Sequence, residues 1–213
     1  MKIVSYSLWG NDPKYTIGAI RNAEMCQEYY PDWIARFYVG KSVPSDIISS
    51  LKAIENTEVV LMEEEGDWTG MFWRFTAADS NDVVVSRDTD CRPSWREVKA
   101  VEAWLNSDKD FHIMRDHPYH GTEILGGMWG ARNGILRGIN QKISEYSKGN
   151  FWQVDQNFLR SVVYPLVRDR AMVHDEIFER KGFPTARNPR EFIGKAFNAD
   201  DTEFEPKHGD MLI

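Results

Sequence analysis

Two cysteines, Cys26 and Cys91, in 213 residues are too few for a disulfide framework, and they read as reduced thiols in a cytosol-like compartment. No apolar run approaches the ~20 residues of a membrane span, so no membrane-crossing helix is expected. The opening Met1-Lys2-Ile3-Val4-Ser5-Tyr6 lacks the apolar stretch of a signal peptide, and a cytoplasmic location follows as an expectation. Positive charge is in deficit: 26 Lys and Arg stand against 33 Asp and Glu, a formal net charge of −7. Such a field repels a nucleic-acid backbone, and nucleic acid is not an expected partner. No Gly-x-Gly-x-x-Gly fingerprint follows a strand, and no Gly-x-Ser-x-Gly elbow supports a hydrolase triad.

What is present is an ordinary globular mix, 42% apolar and 28% charged, without repeats or linker-like stretches. Residues 1–213 are expected to form a single domain. Aromatics are plentiful, at 13% with eight Trp, which suits either core filling or rings that stack on bases and sugars.

Short apolar runs alternate with helical patterns. Strands are expected at residues 3–8, 33–39, 58–62, 82–86, 111–114 and 127–131. Helices are expected at 15–30, with Ile17, Ile20 and Ala23 on one side, and at 45–55, 70–79, 94–106, 135–147 and 156–167. Ser94 and Glu97 have the spacing of a capping box. The β-α-β-α rhythm predicts an α/β domain with a mostly parallel central sheet flanked by helices. Ligands of such sheets bind beyond the carboxyl ends of the strands, which directs attention to the loops after Leu8, Val39, Met62 and Ser86.

The run Val83-Val84-Val85 leads into Arg87-Asp88-Thr89-Asp90. Residues i and i+2 of an extended segment point the same way, so Asp88 and Asp90 would present two carboxylates side by side. Bare, the pair repels itself. A divalent cation removes the conflict, and hard oxygen ligands suit Mn²⁺ or Mg²⁺. A solvated turn is the plainer alternative. His112, His117 and His120 have no cysteine nearby and no second paired spacing, which argues against structural zinc.

Asp-x-Asp after a buried strand, in a chain of this size, resembles the GT-A glycosyltransferases, which use nucleotide-sugar donors. The resemblance implies a single GT-A-like domain, a UDP-sugar donor with glucose or rhamnose as candidate sugars, and a glycan or glycoprotein acceptor. It implies Arg74 near the donor, Gly126-Gly127-Met128-Trp129-Gly130 bordering the sugar, and Asp155-Gln156 beside the transferred sugar, as in retaining families. It further implies His208 as a third protein ligand of the metal, although Gly209-Asp210 follows it where the glycogenin-like family has His-x-x-Gly-x-x-Lys-Pro-Trp. The text around Ser86-Arg87-Asp88-Thr89-Asp90 and His112-Ile113-Met114-Arg115-Asp116-His117-Pro118 is similar to a small group of capsule and surface-glycan transferases, chlorovirus ones included. In that case the chain belongs to a larger multidomain protein acting in a host's cytoplasm.

On this reading Ser7, Leu8 and Trp9 lie near the base, Tyr15 is a stacking ring, Asp88 faces the ribose or the metal, Asp90 the metal directly, and Gly127 the nucleotide-sugar. His117, His120, Trp129 and Asp175 are acceptor candidates, and Asp116 or Asp175 would supply a base if the reaction inverted. Bland readings stay open: Arg74 as an ion-pair arginine, the glycines as a tight turn. Two rival functions also remain. A sugar-nucleotide pyrophosphorylase shares the sheet and the metal but normally has a Gly-rich N-terminal loop with a lysine, which Leu8-Trp9-Gly10-Asn11 lacks. A non-catalytic carbohydrate-binding domain would bind sugar regardless of nucleotide and metal.

Overall fold

Strand β1 (Lys2–Leu8) is buried along almost its whole length, and its two faces meet different partners. Val4, Tyr6 and Leu8 join a core shared with helices, while Ile3 joins a second core on the opposite face. The computed structural model describes residues 1–146 and 149–212. Beside β1 run β2 (Ile34–Val39), β3 (Thr57–Leu61) and β4 (Val83–Ser86), then β5 (Phe111–Arg115), β6 (Trp129–Ala131) and β7 (Ala171–Asp175). They form one seven-stranded sheet in the order β3-β2-β1-β4-β6-β5-β7. Every neighbouring pair is parallel except the two made by β6, which runs against β4 and β5. The domain is therefore α/β with a mostly parallel sheet, as the alternation of elements predicts.

Helix α1 (Pro13–Tyr29) begins earlier than expected. Asp12 caps it by accepting from the Lys14 backbone N–H at 2.9 Å, and Pro13 has the fixed φ that a first helical position favours. Its inner face includes Ala23 as expected, with Ile17 and Ile20 packed along the margin of the core. Thr16, Gly18, Ala19, Asn22, Ala23 and Cys26 are buried, whereas Ile17 and Ile20 are only half-buried. Close packing is the reason: a Cβ on Gly18 would run into the Thr89 carbonyl oxygen.

Helix α2 (Ser45–Ala53) buries Ile47 and Leu51 as its spacing predicts. Ahead of α3 (Trp95–Leu105), Ser94 accepts from the Glu97 N–H at 3.3 Å. Glu97 does not return the bond. Its carboxylate is buried instead between Arg87 Nε at 2.7 Å and the Tyr30 hydroxyl at 2.6 Å.

The helix expected at 70–79 is a 3₁₀ helix, Trp68–Ala78, buried on most sides. The segment expected to be helical at 135–147 is regular only in α4 (Ile139–Glu145); its last residue, Ser147, lies outside the described residues. Residues 154–167 are helical throughout: α5 (Val154–Phe158), a π turn (Leu159–Val163) and α6 (Tyr164–Val167), which contains Pro165. Proline lacks the N–H that a regular α-helix needs there. Helix α7 (Pro206–Asp210) closes the fold. Among the described residues no helix is long and apolar enough to cross a membrane.

Strand β7 was not anticipated, and it brings His174 to His112 of β5, with Nε2 of His112 and Nδ1 of His174 2.8 Å apart. Burial pulls both imidazoles down, His174 to about 4. The unfolded chain binds protons near pH 6.5 that the folded chain refuses, so stability present above that pH is lost as pH falls. His174 alone should cost about 2 kcal/mol between pH 6.5 and 5. Circular-dichroism melts at pH 7.5 and 5 should show this drop, and His174→Gln should flatten it. Equal melting temperatures for the parent would remove the pair from the acid response.

Candidate active site

The carboxyl ends of β1 and β4 open onto a cavity of about 470 Å³. It is lined by Ser7 and Leu8 at the end of β1, Trp9 and Asp12 in the loop that follows, Tyr15 in the first turn of α1, and Trp68, Met71 and Arg74 of the 3₁₀ helix. The loop after β4 contributes Asp88, Asp90 and Cys91, and the loop before β6 contributes Gly126, Gly127 and Met128. Trp152, Gln153, Asp155 and Gln156 border another side, and His120, Gly194 and Ala196 complete the wall.

Arg74 is the pivot. Its backbone is fixed by β1: Ser5 Oγ donates to the Arg74 carbonyl at 2.7 Å, and Ser7 Oγ accepts its N–H at 2.9 Å. The guanidinium then bridges two carboxylates, Nη1 to Asp88 Oδ1 and Nη2 to Asp155 Oδ2, the latter at 2.9 Å. Burial pushes the Asp155 carboxyl up, with Arg74 pulling against it. Two glycines make room for this triad. A Cβ on Gly126 would meet Asp155 and Arg74, and one on Gly127 would meet Asp88.

The segment carrying Asp88 and Asp90 is a turn rather than the extended strand that the spacing argument assumed, closed by the Cys91 N–H on the Asp88 carbonyl at 3.3 Å. Both carboxylates nevertheless line the same cavity. Buried Asn22 holds the turn against α1: its amide nitrogen donates to the carbonyls of Gly18, Thr89 and Cys91 at 2.8–2.9 Å. Burial raises the Asp90 carboxyl and the neighbouring Asp88 raises it further, while Lys14, 2.8 Å from Asp90 Oδ2, opposes both. Two hard carboxylates in mutual repulsion, each drawing a cationic side chain to itself, are a donor set that fits a divalent cation. Among the described residues no third histidine, cysteine or acid joins them to complete a protein cage.

Several anticipated site residues stand elsewhere. His208 does not reach the Asp pair; α7 places its ring beside Tyr119 and its carbonyl 3.0 Å from His117 Nε2, so it is not positioned as the third ligand. His117 is enclosed there, packed on Phe192, and does not line the cavity. Trp129 is fully buried, stacked on Phe111 at 5.5 Å, because its side chain points into the core from β6. Asp116, expected as a base, is fully buried between Arg96 at 3.0 Å and Arg187 at 2.7 Å and also accepts the Ile193 N–H. Asp175 is likewise buried on Arg115 Nε at 2.6 Å and accepts the N–H groups of Ile177 and Phe178. Both acids are internal ion-pair partners away from the cavity. His120 does border it; Nδ1 accepts the Asp116 N–H at 3.0 Å, and burial pulls the ring down to about 3, so the neutral imidazole keeps its proton on Nε2.

Reading along the chain missed Lys14, Asn22, Trp68, Trp152, Gln153 and the glycine contact at Gly18. Asp12-Pro13 was the available signal for Lys14: read as a cap, it starts α1 earlier and puts Lys14 in the first turn. The other positions depend on contacts across the fold.

No protein-family model and no curated protein matches this chain. Solved structures do. One is the galactosyltransferase LgtC in complex with donor and acceptor sugar analogs, 11% identical, covering 100% of this chain and 95% of that one at a TM-score of 0.57. Glucosyl-3-phosphoglycerate synthase from Mycobacterium tuberculosis, in complex with UDP, is 18% identical over 88% of this chain and 72% of that one at a TM-score of 0.52. A glycosyltransferase involved in the glycosylation of the major capsid of PBCV-1 is 18% identical over 83% and 82% of the two chains, at a TM-score of 0.49. From its sheet and from the first two likenesses, this chain has the GT-A fold of glycosyltransferases.

Proposed function

We propose that the protein is a metal-dependent glycosyltransferase that moves a sugar from a UDP-sugar, with glucose and rhamnose as first candidates, to a glycan acceptor with retention of configuration. The observation that carries this reading is the Asp88–Arg74–Asp155 bridge and Asp90 around one cavity at the carboxyl edge of the sheet. The structural relatives support the donor class. The mycobacterial synthase has been solved with UDP, and also with Mn²⁺, UDP-glucose and phosphoglyceric acid.

Asp88 and Asp90 would hold the cation, with oxygens of the diphosphate and water completing its shell. When bound, the cation offsets charge that develops on the departing diphosphate. The chain's own groups do the positioning. Arg74 is held rigid by its two carboxylates and offers a fixed positive charge at the donor. Ser7, Leu8, Trp9 and Tyr15 form the wall against which the base would lie.

Retention is supported by the state of the acids. The cavity-lining carboxylates are Asp12, Asp88, Asp90 and Asp155, and each is engaged with a helix N–H, a lysine or an arginine. Asp116 and Asp175, the candidate bases for inversion, are tied up elsewhere. A retaining path lets the departing phosphate accept the acceptor's proton and needs no such base.

A thermal-shift panel of UDP, UDP-glucose, UDP-rhamnose and free sugars, each with and without Mn²⁺, tests the reading. Ligand at 100-fold above its Kd adds about 2.7 kcal/mol, a rise of roughly 5–10 °C for a chain of this size. The expected result is a shift that requires both nucleotide and Mn²⁺. A shift with free sugar alone would favour the carbohydrate-binding reading and overturn this one.

A further inference from the structure

Asp90 does not wait alone for a cation. Lys14 Nζ lies 2.8 Å from its Oδ2, and the two side chains are only 16% and 15% exposed. The ammonium also stands 3.8 Å from the centre of the Phe204 ring and 4.9 Å from that of Tyr15. Phe204 is not loosely placed: its N–H donates to Ala196, and the Phe197 N–H donates to the Asp90 carbonyl at 2.8 Å, so the segment bearing the ring is bonded to the aspartate turn itself. A lysine so held is a monovalent cation already seated at the carboxylate.

We propose that Lys14 is an exchangeable counter-ion, neutralising Asp90 in the free protein and passing to the donor diphosphate when a divalent cation takes its place. The inference rests on the proposed function and adds an order of events to it. An ammonium and a divalent ion within a few ångströms repel each other, so both cannot sit on Asp90 without cost. Lysine has the compact charge and flexible four-carbon stem to change partners. Arg74, clamped between Asp88 and Asp155, cannot follow. Metal alone must displace the ammonium into a cavity whose other carboxylates, Asp12, Asp88 and Asp155, already have partners. Metal arriving with a diphosphate supplies the anion that receives it. Lys14 thereby adds to the direct attraction between cation and diphosphate, and each ligand tightens the other by the same factor.

Titration of free Mn²⁺ by electron paramagnetic resonance, with and without UDP, reads this coupling without any turnover. Lys14→Met keeps an apolar stem against the two rings and removes the charge; Lys14→Gln is a second neutral variant, and melting curves confirm that each is folded. The parent should bind Mn²⁺ weakly alone and more tightly with UDP, within the about 5–150-fold span of ordinary coupling. The neutral variants should bind Mn²⁺ alone about tenfold more tightly and show an enhancement by UDP smaller by about the same factor, the remainder coming from direct attraction between cation and diphosphate. If they bind Mn²⁺ no more tightly than the parent and keep its coupling, Lys14 is a fixed partner and the inference fails while the proposed function stands. If the parent shows no Mn²⁺-dependent UDP binding, the proposed function fails and takes the inference with it.

Discussion

Asp90→Asn and Asp88→Asn should each abolish Mn²⁺-dependent UDP binding while leaving the chain folded. The amide keeps the shape of the carboxylate but loses the charge and one hard oxygen that a divalent cation needs. Loss of partners one shell out from a metal typically weakens binding 10–100-fold, so loss of a direct ligand should exceed about 100-fold. Stability should change little in Asp88→Asn. Asp88 is 40% exposed, and Arg74 keeps Asp155 as a partner when Asp88 is neutral. Asp90→Asn leaves a lysine only 16% exposed, so its cost should be the larger of the two, between the about 0–1 kcal/mol of a surface pair and the about 3–5 kcal/mol of a buried one, which still leaves the chain folded. Calorimetric titration of UDP with and without Mn²⁺, beside a melting curve of each variant, separates the two effects. Parent-like binding in both variants would put the cation somewhere else.

The parts of the fold that were legible are those with a local physical signature. Val83-Val84-Val85 could only be a strand buried on both faces, and Ile47 and Leu51 mark the inner side of a helix by spacing alone. Strand β7 had no such signature: Ala171-Met172-Val173-His174-Asp175 ends in polar residues whose partners, His112 and Arg115, come from a strand some sixty positions earlier. The inner face of α1 was only partly legible for the same reason. Hydrophobic spacing found Ile17, Ile20 and Ala23, which do pack on the core, but not the aspartate turn that comes so close that Gly18 has no room for a Cβ.

The site divides along similar lines. The rule that ligands lie at the carboxyl edge of a parallel sheet pointed to the loops after Leu8 and Ser86 without knowledge of any contact, and Trp9, Asp88 and Asp90 of those loops share the cavity. The same rule gave no means of telling a carboxylate that faces the cavity from one that serves an internal arginine. Asp116 and Asp175 both follow or end a strand, yet Arg96, Arg187 and Arg115 claim them. Arg74 is the converse case, since the arginine that is ion-paired also lines the cavity.

Asp155→Asn should lower turnover far more than it lowers affinity for the donor, and the first product should keep the anomeric configuration of the donor sugar. Asp155 is buried, with its side chain 2% exposed, and holds the second arm of the Arg74 fork while accepting the Gln156 N–H at 2.8 Å. Removing its charge leaves a buried guanidinium with one anionic partner. Breaking such a pair outright costs about 3–5 kcal/mol. Because Asp88 remains, a loss near the lower end is expected, which is about 6–12 °C in melting temperature at roughly 2–4 °C per kcal/mol. Mn²⁺ and UDP still have Asp88 and Asp90, so donor binding should weaken modestly. On the proposed mechanism, turnover would depend on Arg74 and Gln156 meeting charge that exists only in the transition state, and disturbing them should lower kcat without a matching rise in KM. Steady-state kinetics at 15 °C, below the expected onset of unfolding, separates aim from folding. Asp155→Glu, which keeps the charge but lengthens the reach, should recover stability more than turnover. Proton NMR of the first-formed product reads the stereochemistry directly. An inverted anomer would require a free carboxylate base that no cavity-lining acid provides in its present pairing, and it would overturn the retaining mechanism.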